Sequence, residues 1–224
     1  MTAEELLAQL HSHANPANVA GMAQFGINPQ HTLGVSIPTL RALARQAGHD
    51  HDLAAALWAS EIHEAHILAA LVDQPRWVTA EQMERWVADF DSWDVCDQVC
   101  SNLFDRTPWA WDKAAAWSGR PEEFVKRAGF VLMAALAVHD KHAPDERFEA
   151  FLPIIARESS DGRNFVKKAV NWALRGIGKR NRHLNAQAIA AAQAIQAAGD
   201  KTARWVAADA LRELTSEAIQ TRWR

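Results

Sequence analysis

Apolar positions recur at intervals of three and four along almost the whole chain, the spacing that gives a helix one buried face. The pattern predicts helices over 4–13 and from Asn15-Pro16 to about Phe25, then a loop over 25–29. Residues 33–37 lead into a helix that Pro38 opens, a proline being suited to a first helical turn. Further helices are expected at 51–58, 61–72, 79–89, 93–104 and 108–117. Others follow at 121–138, 144–158, 162–178, 184–197 and 201–212, with a last one near 215–222. Gly48, Pro75, Asp91-Ser92, Pro108, Gly119-Arg120-Pro121, Pro144, Gly162 and Gly199-Asp200 supply the stops and starts. No stretch alternates for long enough to be a strand.

A repeat organises these helices. Phe124-Val125-Lys126-Arg127-Ala128 returns 41 residues later as Phe165-Val166-Lys167-Lys168-Ala169, and a further step lands on Ala210 with a weaker match. A period near 40 with two or three helices per unit belongs to HEAT-type arrays. The expected fold is therefore an all-α HEAT-like helical-repeat solenoid with a concave basic groove, a single domain over 1–224. Equivalent positions of successive repeats face one wall in such a stack, so Arg127 and Lys168 are expected on the same one.

Composition narrows the class. Hydrophobic residues make up 49% of 224, enough for a substantial core. The first residues are acidic rather than basic and apolar, and no uncharged run approaches the ~20 residues of a membrane span. Cys96 and Cys100 lie one helical turn apart, which is neither a disulfide framework nor a zinc site, and both are expected to be buried. A soluble, cytoplasmic protein without a membrane segment follows as the expectation.

The net charge of −3 conceals a strong asymmetry. Residues 1–119 hold 6 Lys/Arg against 15 Asp/Glu, whereas 120–182 hold 13 against 8. Within residues 162–182 there are seven cations, Arg163, Lys167, Lys168, Arg175, Lys179, Arg180 and Arg182, and no acid. Val166, Ala169, Val170, Ala173 and Ile177 form the apolar face of this helix, with Lys168, Arg175 and Lys179 opposite and Trp172 among them. Such a face either meets an anion or is ordinary solvated surface.

Candidate chemistry gathers at Asp91-Ser92-Trp93-Asp94-Val95-Cys96-Asp97. Asp91 or Ser92 suits an N-cap, and Asp94 the positive end of the helix dipole. Asp97 lies four residues after Trp93, so indole and carboxylate share a face. It either serves a ligand or pairs with Arg127 inside the bundle. Of ten tryptophans, Trp58, Trp77, Trp86, Trp109, Trp111, Trp117 and Trp205 fit apolar stripes and are expected in the core. His49-Asp50, His51-Asp52 and His139-Asp140, with His63 and His66, form a rival constellation. Helical metal phosphohydrolases of the HD type use such pairs, although Asp at helix starts and His at helix ends also fit plain capping.

The motifs Ser92–Asp97, Phe124–Ala128 and 165–175 resemble the DNA alkylation-repair glycosylases of the AlkD type, from about Gly21-Met22-Ala23-Gln24-Phe25 to the C-terminus. The resemblance implies removal of N3- and N7-alkylated purines from double-stranded DNA, with no cofactor and no metal. It places Asp97 as the catalytic aspartate, Trp93 and Trp172 as stacking tryptophans and Arg127 as the active-site arginine. Phe25 falls where the best-known form has Tyr, keeping the ring but losing the hydroxyl. Lys168, Arg175, Lys179 and Arg182 are the expected DNA-binding cations, and a monomer is expected. It further implies that the lesion is held by its backbone, without base flipping. The alternatives are a non-catalytic HEAT-repeat scaffold for DNA or protein, and the HD-type phosphohydrolase.

Overall fold

Short polar side chains set the start of most helices. Thr2 accepts from Glu5 N while Glu5 returns a bond to Thr2 N, a reciprocal capping box on α1 (Ala3–Ser12). Asn15 caps α2 (Pro16–Gln24), Ser36 caps α3 (Ile37–Ala47) and Asp50 caps α4 (His51–Trp58). Thr79 does the same for α6 (Ala80–Ala88), Asn181 for α13 (Arg182–Ala198) and Asp200 for α14 (Lys201–Leu214). The computed structural model describes residues 1–223; among these the secondary structure is helix, with no strand. No helix among them is long and apolar enough to cross a membrane.

The chain divides into two compact units, Met1–Trp109 and Ala110–Arg224. In the first, α5 (His63–Val72) is the central helix, packed against α3, α4 and α7 (Trp93–Asn102). Its Leu68 and Ala69 are fully buried. Trp58 of α4 stacks on Trp86 of α6 at 4.0 Å and on His66 of α5 at 4.1 Å. The loop between α2 and α3 is anchored by a buried carboxylate. Glu64 accepts from the backbone N–H groups of Leu33, Gly34 and Val35 at 2.8, 2.6 and 3.2 Å. Gly34 has φ 78°, and a Cβ there would lie 2.3 Å from the Asn15 carbonyl, so the loop requires glycine.

The second unit shows the repeat directly. Helices α8 (Ala110–Ser118), α11 (Phe151–Glu158) and α13 pair with α9 (Glu123–His139), α12 (Asn164–Gly178) and α14 respectively. The helices α9, α12 and α14 also pack on one another in succession, as do α8, α11 and α13. Two parallel rows of helices result, the arrangement that a period near 40 predicts. Helices α9 and α12 begin 41 residues apart, and Phe124 and Phe165 meet at 5.7 Å. Ala128, Ala169 and Ala210 are all fully buried. The third step is shorter, since α14 begins at Lys201 rather than 41 residues after Asn164.

Two expectations need correction. The single helix expected over 144–158 is two, α10 (Asp145–Glu149) and α11, broken at Ala150. Pro153 is the cause: it has no N–H to offer Glu149, and its ring would collide with that carbonyl. Trp77, Trp109 and Trp205 are not core residues, being 44%, 40% and 43% exposed. Each has a specific local partner instead. Arg76 lies over Trp77, the Trp109 indole donates to Val78 O, and Lys167 lies over Trp205. These contacts are made at the surface, where a tryptophan can bury one face and leave the other wet. Trp58, Trp86 and Trp117 are buried as expected, and Trp111 is partly so.

Candidate DNA-interacting sites of the two units

In the first unit the candidate residues collect at the start of α7. Ser92 begins the helix but makes no side-chain cap, because its Oγ accepts from Asn28 N at 2.9 Å. Asp91 accepts from the Asn28 side-chain amide at 2.6 Å. Together they hold the 25–29 loop against α7. Asp94 pairs with His63 of α5 at 2.9 Å, and its Oδ1 is buried with no hydrogen-bond partner. Burial disfavours a charged His63, but the bond to Asp94 and the charges of Asp94, Glu64 and Asp91 outweigh it and raise its pKa. Ser92 thus occupies the N-cap position without the side-chain bond, and Asp94 keeps its place in the first turn while also holding His63.

Asp97 comes one turn after Trp93 and is partly exposed, as Trp93 is. The indole is fixed by donating to the Phe25 carbonyl at 3.1 Å. Phe25, the C-cap of α2, leaves its ring 72% exposed. Phe25 and Trp93, both expected at the site, meet here. Met22, Phe25, Ile27, Trp93, Asp94 and Gln98 line a pocket of about 480 Å³ there. Cys96 and Cys100 are fully buried thiols of α7, and burial pushes the Cys100 thiol well above its ordinary range.

The second unit holds the remaining candidates. Arg127 is 6% exposed and its Nη1 donates to Phe165 O at 2.6 Å, one repeat onward. Lys168, its repeat equivalent, is exposed. Equal repeat position therefore does not give these two cations equal surroundings. The apolar face of α12 is as expected, with Val166, Ala169, Val170, Ala173 and Ile177 fully buried. Trp172 is partly exposed on this helix, and Arg182 is exposed at the start of α13.

Arg175 and Lys179 do not stand alone on that surface. Arg175 Nε bonds Glu213 of α14, and its Nη1 reaches Asn171 Oδ1 at 3.1 Å and Asp209 at 3.4 Å. Lys179 Nζ lies 2.9 Å from the other oxygen of Glu213. Hydrogen bonds from both cations, outweighing burial, lower the Glu213 pKa and hold it ionised. Acids 34 to 38 residues downstream meet these cations, which helical periodicity within α12 does not register.

The His-Asp dipeptides do not form a shared site. His51 pairs with Asp73, Asp50 caps α4, and Asp140 accepts from Trp111 and from Ala143 N. His66 donates to the Trp58 carbonyl at 3.1 Å. Among the described residues no three His, Cys, Asp or Glu side chains come together in a group suited to a metal. Residues that periodicity gave no role are Glu64, which pins a loop, and Arg180, considered further below.

Paired helices stacked in register, with aromatic and charged side chains on part-exposed helix faces, define a HEAT-like helical-repeat protein. Residues 6–214 match the family of DNA alkylation repair enzymes, and the chain belongs to that family. A solved structure described as "a new family of proteins related to the HEAT-like repeat DNA glycosylases with affinity for branched DNA structures" has the same fold. It superposes with a TM-score of 0.78 at 15% identity over 95% of each chain. An engineered protein gives 0.43 at 14% identity over 96% of this chain and 99% of its own. A designed armadillo repeat protein gives 0.35 at 14% over 79% and 92%. No curated protein matches the chain.

Proposed function

We propose that this protein is a DNA glycosylase that hydrolyses the N-glycosidic bond of N3- and N7-alkylated purines in duplex DNA. One observation carries the reading. Asp97 is part-exposed one turn below an indole that is itself anchored to Phe25 O, within a chain of the DNA alkylation repair family. Alkylation at N3 or N7 makes the purine cationic, so the base departs with the bond's electron pair and becomes neutral. The sugar left behind acquires oxocarbenium character, and water adds at C1′ while releasing a proton to solvent. Asp97 stabilises that developing positive charge and orients the water, a role for a preorganised carboxylate. The leaving base needs no protonation, so one carboxylate suffices where ordinary glycosidases use two.

Trp93, one turn before Asp97, and Phe25 offer aromatic faces on one pocket of the first unit. In the second unit Trp172 offers another to a sugar-phosphate backbone, and the exposed Lys168 and Arg182 supply sequence-independent attraction. Purified protein is expected to release 7-methylguanine from freshly methylated duplex DNA, with EDTA present or absent. Asp97→Asn should lower that release by about a hundredfold or more. Absence of release by the wild-type protein at equimolar enzyme and lesion refutes the reading.

The fold shared with proteins described as having affinity for branched DNA supports a second reading, a DNA-binding scaffold without bond cleavage. In that case Asp97→Asn binds a four-way junction as wild type does, and neither releases base.

A further inference from the structure

The cations at and beside α12 differ in their partners. Lys179 pairs with Glu213, Arg175 with Glu213 and Asp209, and Arg163 with Asp161. Arg180 has no carboxylate within salt-bridge distance among the described residues. Its Nη1 and Nη2 donate to the carbonyls of Ala137 at 2.9 Å and Ala143 at 3.3 Å, and its guanidinium lies 4.0 Å over the Phe148 ring. The Nε is buried and has no hydrogen-bond partner. A guanidinium carries five N–H donors and is always charged; two carbonyls leave part of its donor capacity unanswered, and Asp145 and Asp140 act on its charge only from beyond salt-bridge distance.

The same side chain lines a cavity of about 430 Å³ whose wall is mostly polar. Lys141, Lys179 and Arg222 share that wall, with Trp172 beside them. Glu213 is the one acid on it, and its two oxygens already serve Arg175 and Lys179. Lys141 and Arg222 are exposed and, like Arg180, have no carboxylate partner among the described residues. Asn181, the N-cap of the 17-residue α13, also reaches the wall, so the positive end of that helix dipole adds to the field. Three cations without a salt-bridge partner around one concavity attract an anion with several acceptor oxygens, and a planar guanidinium suits phosphate in particular.

We propose that this cavity is a phosphate-binding site formed by Arg180, Lys141 and Arg222, with Trp172 as the aromatic wall against which the attached sugar packs. It rests on the DNA-binding reading above for its source of phosphate, the phosphodiester backbone of a DNA strand. A free phosphate ion or phosphomonoester offers the same chemistry.

The test is a Lys141→Gln/Arg222→Gln double variant of the full chain, both positions being exposed. Anisotropy with an undamaged labelled duplex is measured from 50 to 200 mM salt. The double variant should bind about tenfold more weakly, and its slope of log K against log[salt] should be shallower by about 0.9, the loss of one phosphate contact. In a second arm, line broadening of inorganic phosphate is followed by phosphorus NMR with each protein. Broadening by wild type that the double variant abolishes, with unchanged DNA affinity, assigns the site to free phosphate. If the double variant equals wild type in both arms at equal melting temperature, the site is overturned. Arg180→Gln serves as a further variant, the double variant deciding where loss of the Phe148 contact lowers stability. Failure of base release leaves both arms readable, so the two proposals fall separately.

Discussion

Asp91, Asp94 and Asp97 recur every three residues yet end in three different surroundings. The first holds Asn28 and the second holds a buried histidine, while the third is part-exposed beside Trp93. Spacing placed Trp93 and Asp97 on one face, and that much was legible. The partners of Asp94 and Asp91 were not, because His63 and Asn28 are 31 and 63 residues away and arrive only through packing. His63 and its neighbour His66, three residues on, then titrate in opposite directions. The raised pKa of His63 means the folded state holds a proton the unfolded chain has lost, so the pair stabilises fully below about pH 6.5. That contribution disappears as pH rises through the higher folded value. Burial lowers the pKa of His66 despite the Trp58 carbonyl and Asp89, so His66 opposes folding as pH falls below about 6.5. Thermal melts from pH 5.5 to 8.5 should show His63→Gln costing about 1–3 kcal/mol at the acid end, with the deficit shrinking as pH rises. His66→Gln should gain on wild type as pH falls. Parallel pH profiles for the two variants would contradict both assignments.

Helices were the best-read level of this chain, since capping residues and apolar spacing are local and survive in almost any context. Boundaries fell within a few residues for α4, α5 and α14, and the 41-residue echo showed that α9 and α12 are equivalent. The break between α10 and α11 was missed although Pro153 announces it, because the apolar pattern runs through it. How closely helices approach was not legible at all. Gly129 of α9 lies against the backbone of α8, where a Cβ would sit 2.5 Å from Ser118 N and 3.0 Å from Ala114 O. Gly176 of α12 has room, its nearest atom being Ala134 Cα at 3.5 Å. Gly129→Ala is therefore expected to cost about 1–3 kcal/mol through forced separation of α8 and α9. Gly176→Ala should be neutral or stabilise by up to about 1 kcal/mol, the gain in helix propensity. Chemical denaturation of the two variants distinguishes a packing role from a general dislike of alanine at helical glycines.

Across the molecule, charge divides between the two units. Residues 1–109 carry 5 Lys/Arg against 14 Asp/Glu, and residues 110–224 carry 19 against 13. If the second unit supplies the attraction for DNA, its solvated cations should set the salt dependence, and its internally paired cations should set stability. Lys168→Gln is thus expected to reduce the slope of log K against log[salt] by about 0.9 without changing the melting temperature. Arg175→Gln should instead lower the melting temperature, because Asp209 and Glu213 lose a partner. Equal effects of the two on the salt slope would show that Arg175 leaves Glu213 to meet phosphate. The sequence by itself determined the helical class, the repeat period, the buried face of α12 and the charge asymmetry, since each depends on neighbours within a turn or on a plain count. Tertiary structure alone decided which cations are already paired with acids, which tryptophans are exposed, and that Arg180, one of seven in its stretch, has a buried Nε without a hydrogen-bond partner. Burial and pairing are properties of what folds back from far along the chain, and no local pattern records them.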